Sequence, residues 1–134
     1  MREIGVGNAH GKSAKRQSQR LGRAGEAFAA VYLQEKGYRV IARNWTGDQG
    51  EIDLVAFADC SSCLLVFCEV KTRHGTEWGY PTEAVGYQKQ RRLRLVAREF
   101  LMREQPRTNE VRFDVIGIVV GGGVLEIEHL ENAF

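Results

Sequence analysis

Long apolar runs are missing from this 134-residue chain. No stretch approaches the roughly 18 residues that span a bilayer, and residues 1–20 lack the apolar core of a secretory signal. The expectation is therefore a cytoplasmic protein without a membrane partner. Cysteine is scarce and odd in number: Cys60, Cys63 and Cys68 make no disulfide framework. Cys60-Ser61-Ser62-Cys63 has CxxC spacing, but no second cysteine pair follows to close a zinc site. Internal repeats are absent. With 43% hydrophobic and 27% charged residues, the composition is that of one globular domain able to bury a core unaided.

Acidic residues are absent from two stretches. None lies between Glu3 and Glu26, where Lys12, Lys15, Arg16, Arg20 and Arg23 fall. None interrupts the block of Lys89, Arg91, Arg92, Arg94 and Arg98 either. The net charge is only +2, so the distribution carries the argument. Segregated basic blocks suit a polyanionic partner; the plainer alternative is a solvated tail and a solvated helix face.

What is present reads as alternating helices and strands. Residues 1–19 are polar and glycine-containing, an expected basic, disordered tail ahead of a single domain over 20–134. A largely enclosed helix is expected from Arg20 to Lys36, stopped by Gly37. Strands follow at Tyr38–Asn44, Glu51–Phe57 and Cys63–Thr72. A second helix is expected from Glu83 to Glu104, then strands at Val111–Val120 and Val124–Leu130. Ile52, Leu54 and Ala56 should face one side of the second strand, and Val55 and Phe57 the other, as in central strands covered twice. The order is α-β-β-β-α-β-β, an α/β domain with a mixed central sheet flanked by helices.

Two strings stand out against this background: Gly50-Glu51-Ile52-Asp53, and Glu69-Val70-Lys71 sixteen residues beyond the aspartate. Both lie in apolar strands, where an uncompensated carboxylate is costly. A hairpin loop of Cys60-Ser61-Ser62 would set Asp53 opposite Glu69, and Glu51 opposite Lys71, with roughly 4.5–5.5 Å between Cβ atoms. A loop one residue longer would send them to opposite faces. Paired carboxylates repel unless one is protonated or a cation lies between them. Mg²⁺ takes such oxygen ligands together with water and phosphate, polarises a scissile phosphate and acidifies bound water. Lys71 could orient the attacking water or offset charge at phosphorus. A cross-strand salt-bridge ladder explains the same residues without chemistry.

Further residues bear on that choice. Lys89 lies on the inward stripe of the second helix and can reach a phosphate or snorkel to solvent. Glu26, on the enclosed helix, either joins the acidic cluster or pairs with an arginine. Asp114, in Arg112-Phe113-Asp114-Val115, either pairs structurally or supports the metal ligands from behind. Trp45, Trp78 and Tyr80 could stack on exposed bases or pack in the core.

Taken together, Glu26, Gly50-Glu51-Ile52-Asp53, Glu69-Val70-Lys71 and Arg112-Phe113-Asp114-Val115 resemble the PD-(D/E)XK nuclease superfamily. More closely, the chain resembles the YraN family of small uncharacterised bacterial proteins, which are similar to archaeal Holliday-junction resolvases. The likeness runs from Gly22 to Val119 and includes Gly22-Arg23-Ala24-Gly25-Glu26, Gly37-Tyr38, Asn44, Thr72-Arg73 and Lys89-Gln90-Arg91-Arg92. The proline that precedes the superfamily's aspartate is replaced here by Glu51-Ile52.

The resemblance implies a restriction endonuclease-like fold. It also implies Asp53 and Glu69 as ligands of Mg²⁺ or Mn²⁺, Lys71 as the catalytic lysine and Glu26 as the helix-borne acid. The expected activity is a metal-dependent endonuclease on DNA rather than RNA, acting on branched or non-duplex structures. Lys89, Arg73, Arg91, Arg92 and Arg94 would hold phosphates, and Glu51 and Asp114 would support the ligands. Resolvase-like enzymes imply by analogy a homodimer paired through the fifth strand. The rival expectation is a non-catalytic nucleic-acid-binding module on the same scaffold.

Overall fold

The computed structural model describes residues 10–59, 63–75 and 85–134, with side chains from residue 22 onward. Helix α1 spans His10–Glu35. It starts ten residues before the expected Arg20, because residues 12–20 are mostly Lys, Arg, Gln and Ala, all good helix formers, with no Gly or Pro among them. Residues 10–19, expected in the tail, therefore continue α1, and residues 1–9 lie outside the described residues. Strands β1 (Arg39–Thr46), β2 (Glu51–Phe57) and β3 (Leu64–His74) follow, then helix α2 (Tyr87–Glu104), β4 (Glu110–Gly121) and β5 (Val124–Leu130). Helix α2 begins after Gly86, its N-cap residue; the earlier expected start, at 83–84, lies outside the described residues.

The five strands form one sheet in chain order, with β3 and β4 parallel and every other neighbouring pair antiparallel. A parallel pair needs a crossover, and α2 lies within it. The α-β-β-β-α-β-β order and the mixed sheet with one helix on each face match the expectation from sequence.

The two faces bury different side chains. Ala29, Ala30 and Leu33 of α1 pack on Leu54, Ala56, Val66, Cys68, Ile116 and Ile118. Leu93, Val96, Ala97 and Phe100 of α2 pack on Val55, Phe57, Leu65 and Phe67. Each fully buried Leu, Ile, Val or Phe is worth about 1.5–3 kcal/mol, so these two layers hold the sheet between the helices. Among the described residues no helix is long and apolar enough to cross a membrane.

One departure from regular alternation matters for the site. Ile52 packs with Val55 on the α2 side, not with Leu54 and Ala56. The pleat slips at Asp53, the residue between Ile52 and Leu54. On β1, pairing with β2 runs Arg43↔Leu54 and then Trp45↔Ile52. The register does not change there, its shift lying at Val40/Ala42; Asn44, opposite Asp53, has φ 52°, a left-handed conformation that asparagine tolerates better than other side-chain-bearing residues. The strain of roughly 1 kcal/mol is localised beside Asp53.

Candidate active site

β2 and β3 separate where the carboxylates lie. Their ladder runs from Phe57↔Leu65 to Leu54↔Cys68 and stops there. β2 stays paired to β1 as far as Thr46↔Glu51, and β3 stays paired to β4 as far as His74↔Val120. Carried past its last pair, this register would set Asp53 opposite Glu69 and Glu51 opposite Lys71, as a three-residue loop gives. Beyond Leu54, though, side chains replace the backbone ladder. Asp53 Oδ2 accepts the Val70 backbone N–H at 2.8 Å, so the carboxylate sits in the opening of the fork.

Three acids meet at this fork. Glu69 is buried, 8% exposed, and lies on the α2 side of β3. Glu26 reaches in from α1 and is hydrogen-bonded to Asp53. Burial, with the charges of Glu69 and Glu26 added, pushes the Asp53 carboxyl up to about 8 from its ordinary 3.8, against the opposing Val70 N–H. Asp53 therefore carries a proton at neutral pH, which is what lets it share a hydrogen bond with a second acid.

Glu26 reaches the fork because α1 comes close to β3 at Gly25. A β-carbon there would collide with the Thr72 hydroxyl. Among the described residues that hydroxyl is buried without a hydrogen-bond partner, an arrangement costing roughly 1–3 kcal/mol. Close contact between helix and strand is bought at a measurable loss of stability.

Cations border the acids. Lys89 Nζ lies 3.1 Å from Glu69 Oε2, so the inward lysine of α2 pairs with a carboxylate. Lys71 follows Glu69 by two residues on β3, pairs with Gly117 of β4 and lies on the same face of the strand. Glu51 is exposed at the start of β2, and Arg73 lies two residues beyond Lys71. Arg91 and Arg92 are exposed on the first turns of α2. Arg94 is held elsewhere, over the rings of Phe113 and Phe134 at 4.9 and 5.5 Å.

Asp114 stands apart from the fork. It is fully buried and saturated: Arg112 Nε and Nη2 donate to it at 2.8 Å each, His129 Nε2 lies 2.7 Å away, and the Asn132 N–H donates at 3.0 Å. Burial alone would raise its pKa, but His129, Arg112 and the Asn132 N–H together hold it below the ordinary value. Arg112 also donates to the Tyr38 hydroxyl at 2.8 Å, and His129 Nδ1 lies 3.2 Å from that of Tyr32. This is a structural network tying β4 and β5 to α1. Sequence reasoning missed His129, whose only signal is a polar residue in an otherwise half-buried strand.

Other expected candidates fall into structural positions. Trp45 packs edge-on against Phe100 at 5.2 Å and donates to Glu104 at 3.1 Å. Trp78, Tyr80 and Cys60 lie outside the described residues. Cys63 and Cys68 are free thiols, and Cys68 is buried.

Among the described residues no group of three or more His, Cys, Asp or Glu side chains is placed to hold a metal ion by itself. Mg²⁺ rarely uses such a cage; it binds one or two carboxylates and fills its octahedron with water and substrate phosphate. The half-buried Asp53 and the buried Glu69 supply carboxyl oxygens of the kind this ion takes, once Asp53 gives up its proton.

Comparison with known proteins places the chain among relatives of similar size. Residues 25–118 match the uncharacterised protein family UPF0102. A UPF0102 protein of Rhodococcus opacus is 48% identical over 115 residues, covering 85% of this chain and 95% of the relative. Another from Symbiobacterium thermophilum is 46% identical over 118 residues, covering 87% and 98%. A third, from Dictyoglomus turgidum, is 37% identical over 119 residues, covering 87% and 98%.

Proposed function

The chain belongs to the uncharacterised protein family UPF0102, the YraN family, a membership that leaves its activity open, and from the geometry we propose that it is a metal-dependent endonuclease hydrolysing phosphodiesters in DNA. The observation that carries this reading is the meeting of Asp53, Glu69 and Glu26 at the fork between β2 and β3, with Lys71 two residues from Glu69. A salt-bridge ladder would pair acids with bases; here Asp53 faces two further acids.

In this reading Asp53 and Glu69 hold Mg²⁺ or Mn²⁺, and Glu26 holds it directly or through water. The ion, once bound, supplies charge to the scissile phosphate and acidifies water. Asp53 must lose its proton to serve as a ligand, so the site favours the cation as pH rises. Val70 N–H fixes the carboxylate's orientation. Lys71 positions the attacking water or offsets charge on the phosphate. Lys89, paired with Glu69 here, would be available for a neighbouring phosphate if Glu69 served a metal, with Arg73, Arg91 and Arg92 holding flanking phosphates without reading sequence. Branched or non-duplex DNA is the proposed substrate, and pairing through β5 would match the two cuts a junction needs.

One observation favours a second reading. The Lys89–Glu69 pair and the protonated Asp53 together offset two of the fork's three acids without any metal. A nucleic-acid-binding module that no longer cleaves is consistent with that arrangement. Cleavage assays on duplex, single-stranded, flap and four-way-junction DNA with Mg²⁺, Mn²⁺ or EDTA separate the two. Metal-dependent cleavage lost in Asp53→Asn, Glu69→Gln and Lys71→Ala variants that still bind supports the endonuclease; binding without cleavage on every substrate supports the module.

A further inference from the structure

Beside the fork, the first turns of α2 and the β1–β2 turn enclose a second feature. Gln49, Tyr87, Gln88, Arg91, Arg92 and Leu95 line a cleft of about 360 Å³, within the roughly 300–1,000 Å³ range of small-ligand sites. Tyr87 is 76% exposed and Leu95 38% exposed. Packing among the described residues does not explain a large aromatic left so open at a helix start. Among the described residues the cleft lining holds two arginines and two side-chain amides, and no acid.

We propose that this cleft receives one unpaired nucleotide of a nucleic-acid strand, with its base stacked on Tyr87 and its phosphate held by Arg91 and Arg92. This rests on the nucleic-acid part of the reading above and extends it by naming the structural feature of the substrate. The aromatic face supplies stacking that every base can use. Arg91 and Arg92 supply planar, fixed-charge donors suited to phosphate. Gln49 and Gln88 each offer both donors and acceptors, as a base edge requires once it is unpaired. A base inside a duplex cannot present its face to a side chain, so the cleft selects for strand ends, gaps or branch points.

Its position links it to the fork. Lys89, two residues after Tyr87 on the same helix, reaches Glu69. Arg92 is packed over Gly50, whose φ of 144° favours glycine and whose missing β-carbon leaves room for the Arg92 stem, 3.3 Å from where that carbon would stand. Gly50 is the residue from which the Glu51-Ile52-Asp53 segment departs. A nucleotide in the cleft is thus held by the same helix whose Lys89 reaches Glu69.

The test is binding of a short single-stranded DNA carrying one 2-aminopurine, in EDTA so that no cleavage occurs. Base stacking on the protein quenches 2-aminopurine, and anisotropy gives the affinity. Tyr87→Ala should weaken single-strand binding by about 5- to 150-fold, the span of one to three kcal/mol that stacking is worth, and should abolish the quench. Tyr87→Phe should keep both. Blunt duplex binding should change by less than about twofold in either variant, since phosphate contacts carry it. Unchanged single-strand binding in Tyr87→Ala, or equal losses in both variants, overturns the proposal. The proposal about the fork fails separately: Tyr87-dependent binding with no metal-dependent cleavage sinks the endonuclease and spares the cleft. Cleavage with Tyr87-independent binding does the reverse.

Discussion

Asp53→Asn should stabilise the metal-free protein, and increasingly so as pH rises. Asparagine preserves the shape, can accept the Val70 N–H and can donate to Glu26, but it has no charge to lose. In the folded protein the Asp53 carboxyl sits near 8, against an ordinary 3.8. Between those values the folded state holds a proton that the unfolded chain releases, so wild-type stability falls across that window and levels off above it. At about 1.4 kcal/mol per pH unit, the loss is capped near 6 kcal/mol. The fork is partly open to water, and screening there reduces the expected loss to about 2–3 kcal/mol. Urea denaturation in EDTA at pH 5 and pH 8.5 reads this directly. The stability gap between variant and wild type should widen by about two thirds of that, roughly 1.5–2 kcal/mol, from the lower pH to the higher. Parallel pH profiles would refute the claim that Asp53 is held protonated by Glu69 and Glu26.

Other perturbations test other parts of the structure. Millimolar Mg²⁺ or Mn²⁺ at pH 8.5 should raise the melting temperature of the wild type and leave that of Asp53→Asn unmoved, because a ligand stabilises only the state that binds it. Lys89→Met should cost about 1–2 kcal/mol in EDTA, less than a fully buried pair because Lys89 is 41% exposed. Added Mn²⁺ should restore most of that loss, whereas a simple surface pair would show no rescue. Thr72→Val should stabilise by about 1 kcal/mol, since it removes a buried hydroxyl without a partner, and Gly25→Ala should destabilise by about 1–3 kcal/mol by forcing α1 away from β3. Asp114→Asn should cost about 3–5 kcal/mol, because it leaves the Arg112 guanidinium half-buried against a neutral partner; chemical denaturation measures all three.

Strand and helix order were legible because their signals are local. Periodicity in Val55–Phe57 and in Leu93–Phe100, and the break at Gly37, belong to single segments. The register of β2 against β3 was legible too: bringing Asp53 and Glu69 together required an odd-length loop or a bulge, and Leu54↔Cys68 is the pairing a three-residue loop gives. The slip of the pleat at Asp53 was not. It depends on Asn44 adopting a left-handed conformation on a neighbouring strand, and no one-strand pattern encodes that. Lys89 was placed correctly on the inward stripe, but its partner was not foreseen. Whether a long cation turns to a phosphate or a carboxylate depends on how far α2 stands from β3. Asp114 was read as equally suited to pairing or to supporting the site. The structure gives it four hydrogen bonds of its own, three of them from side chains brought in by β4 and β5.

The helix boundaries show the same limit. A run such as Lys12–Arg20 has no apolar stripe to announce a helix, yet it continues α1 because nothing in it breaks one. Tyr87 went unnoticed for a related reason. In sequence it is one aromatic at a helix start, and only the approach of Gln49 and the Arg91–Arg92 pair makes a cleft of it.

The most direct measurement is single-turnover cleavage of a labelled four-way junction by wild type and by Asp53→Asn, Glu69→Gln and Lys71→Ala, with Mn²⁺ and with EDTA. The account predicts Mn²⁺-dependent cuts by the wild type, at least about a hundredfold slower in each variant, with junction binding retained. Cleavage that persists in EDTA or survives all three substitutions would contradict it. So would the absence of cleavage on a junction that the wild type binds.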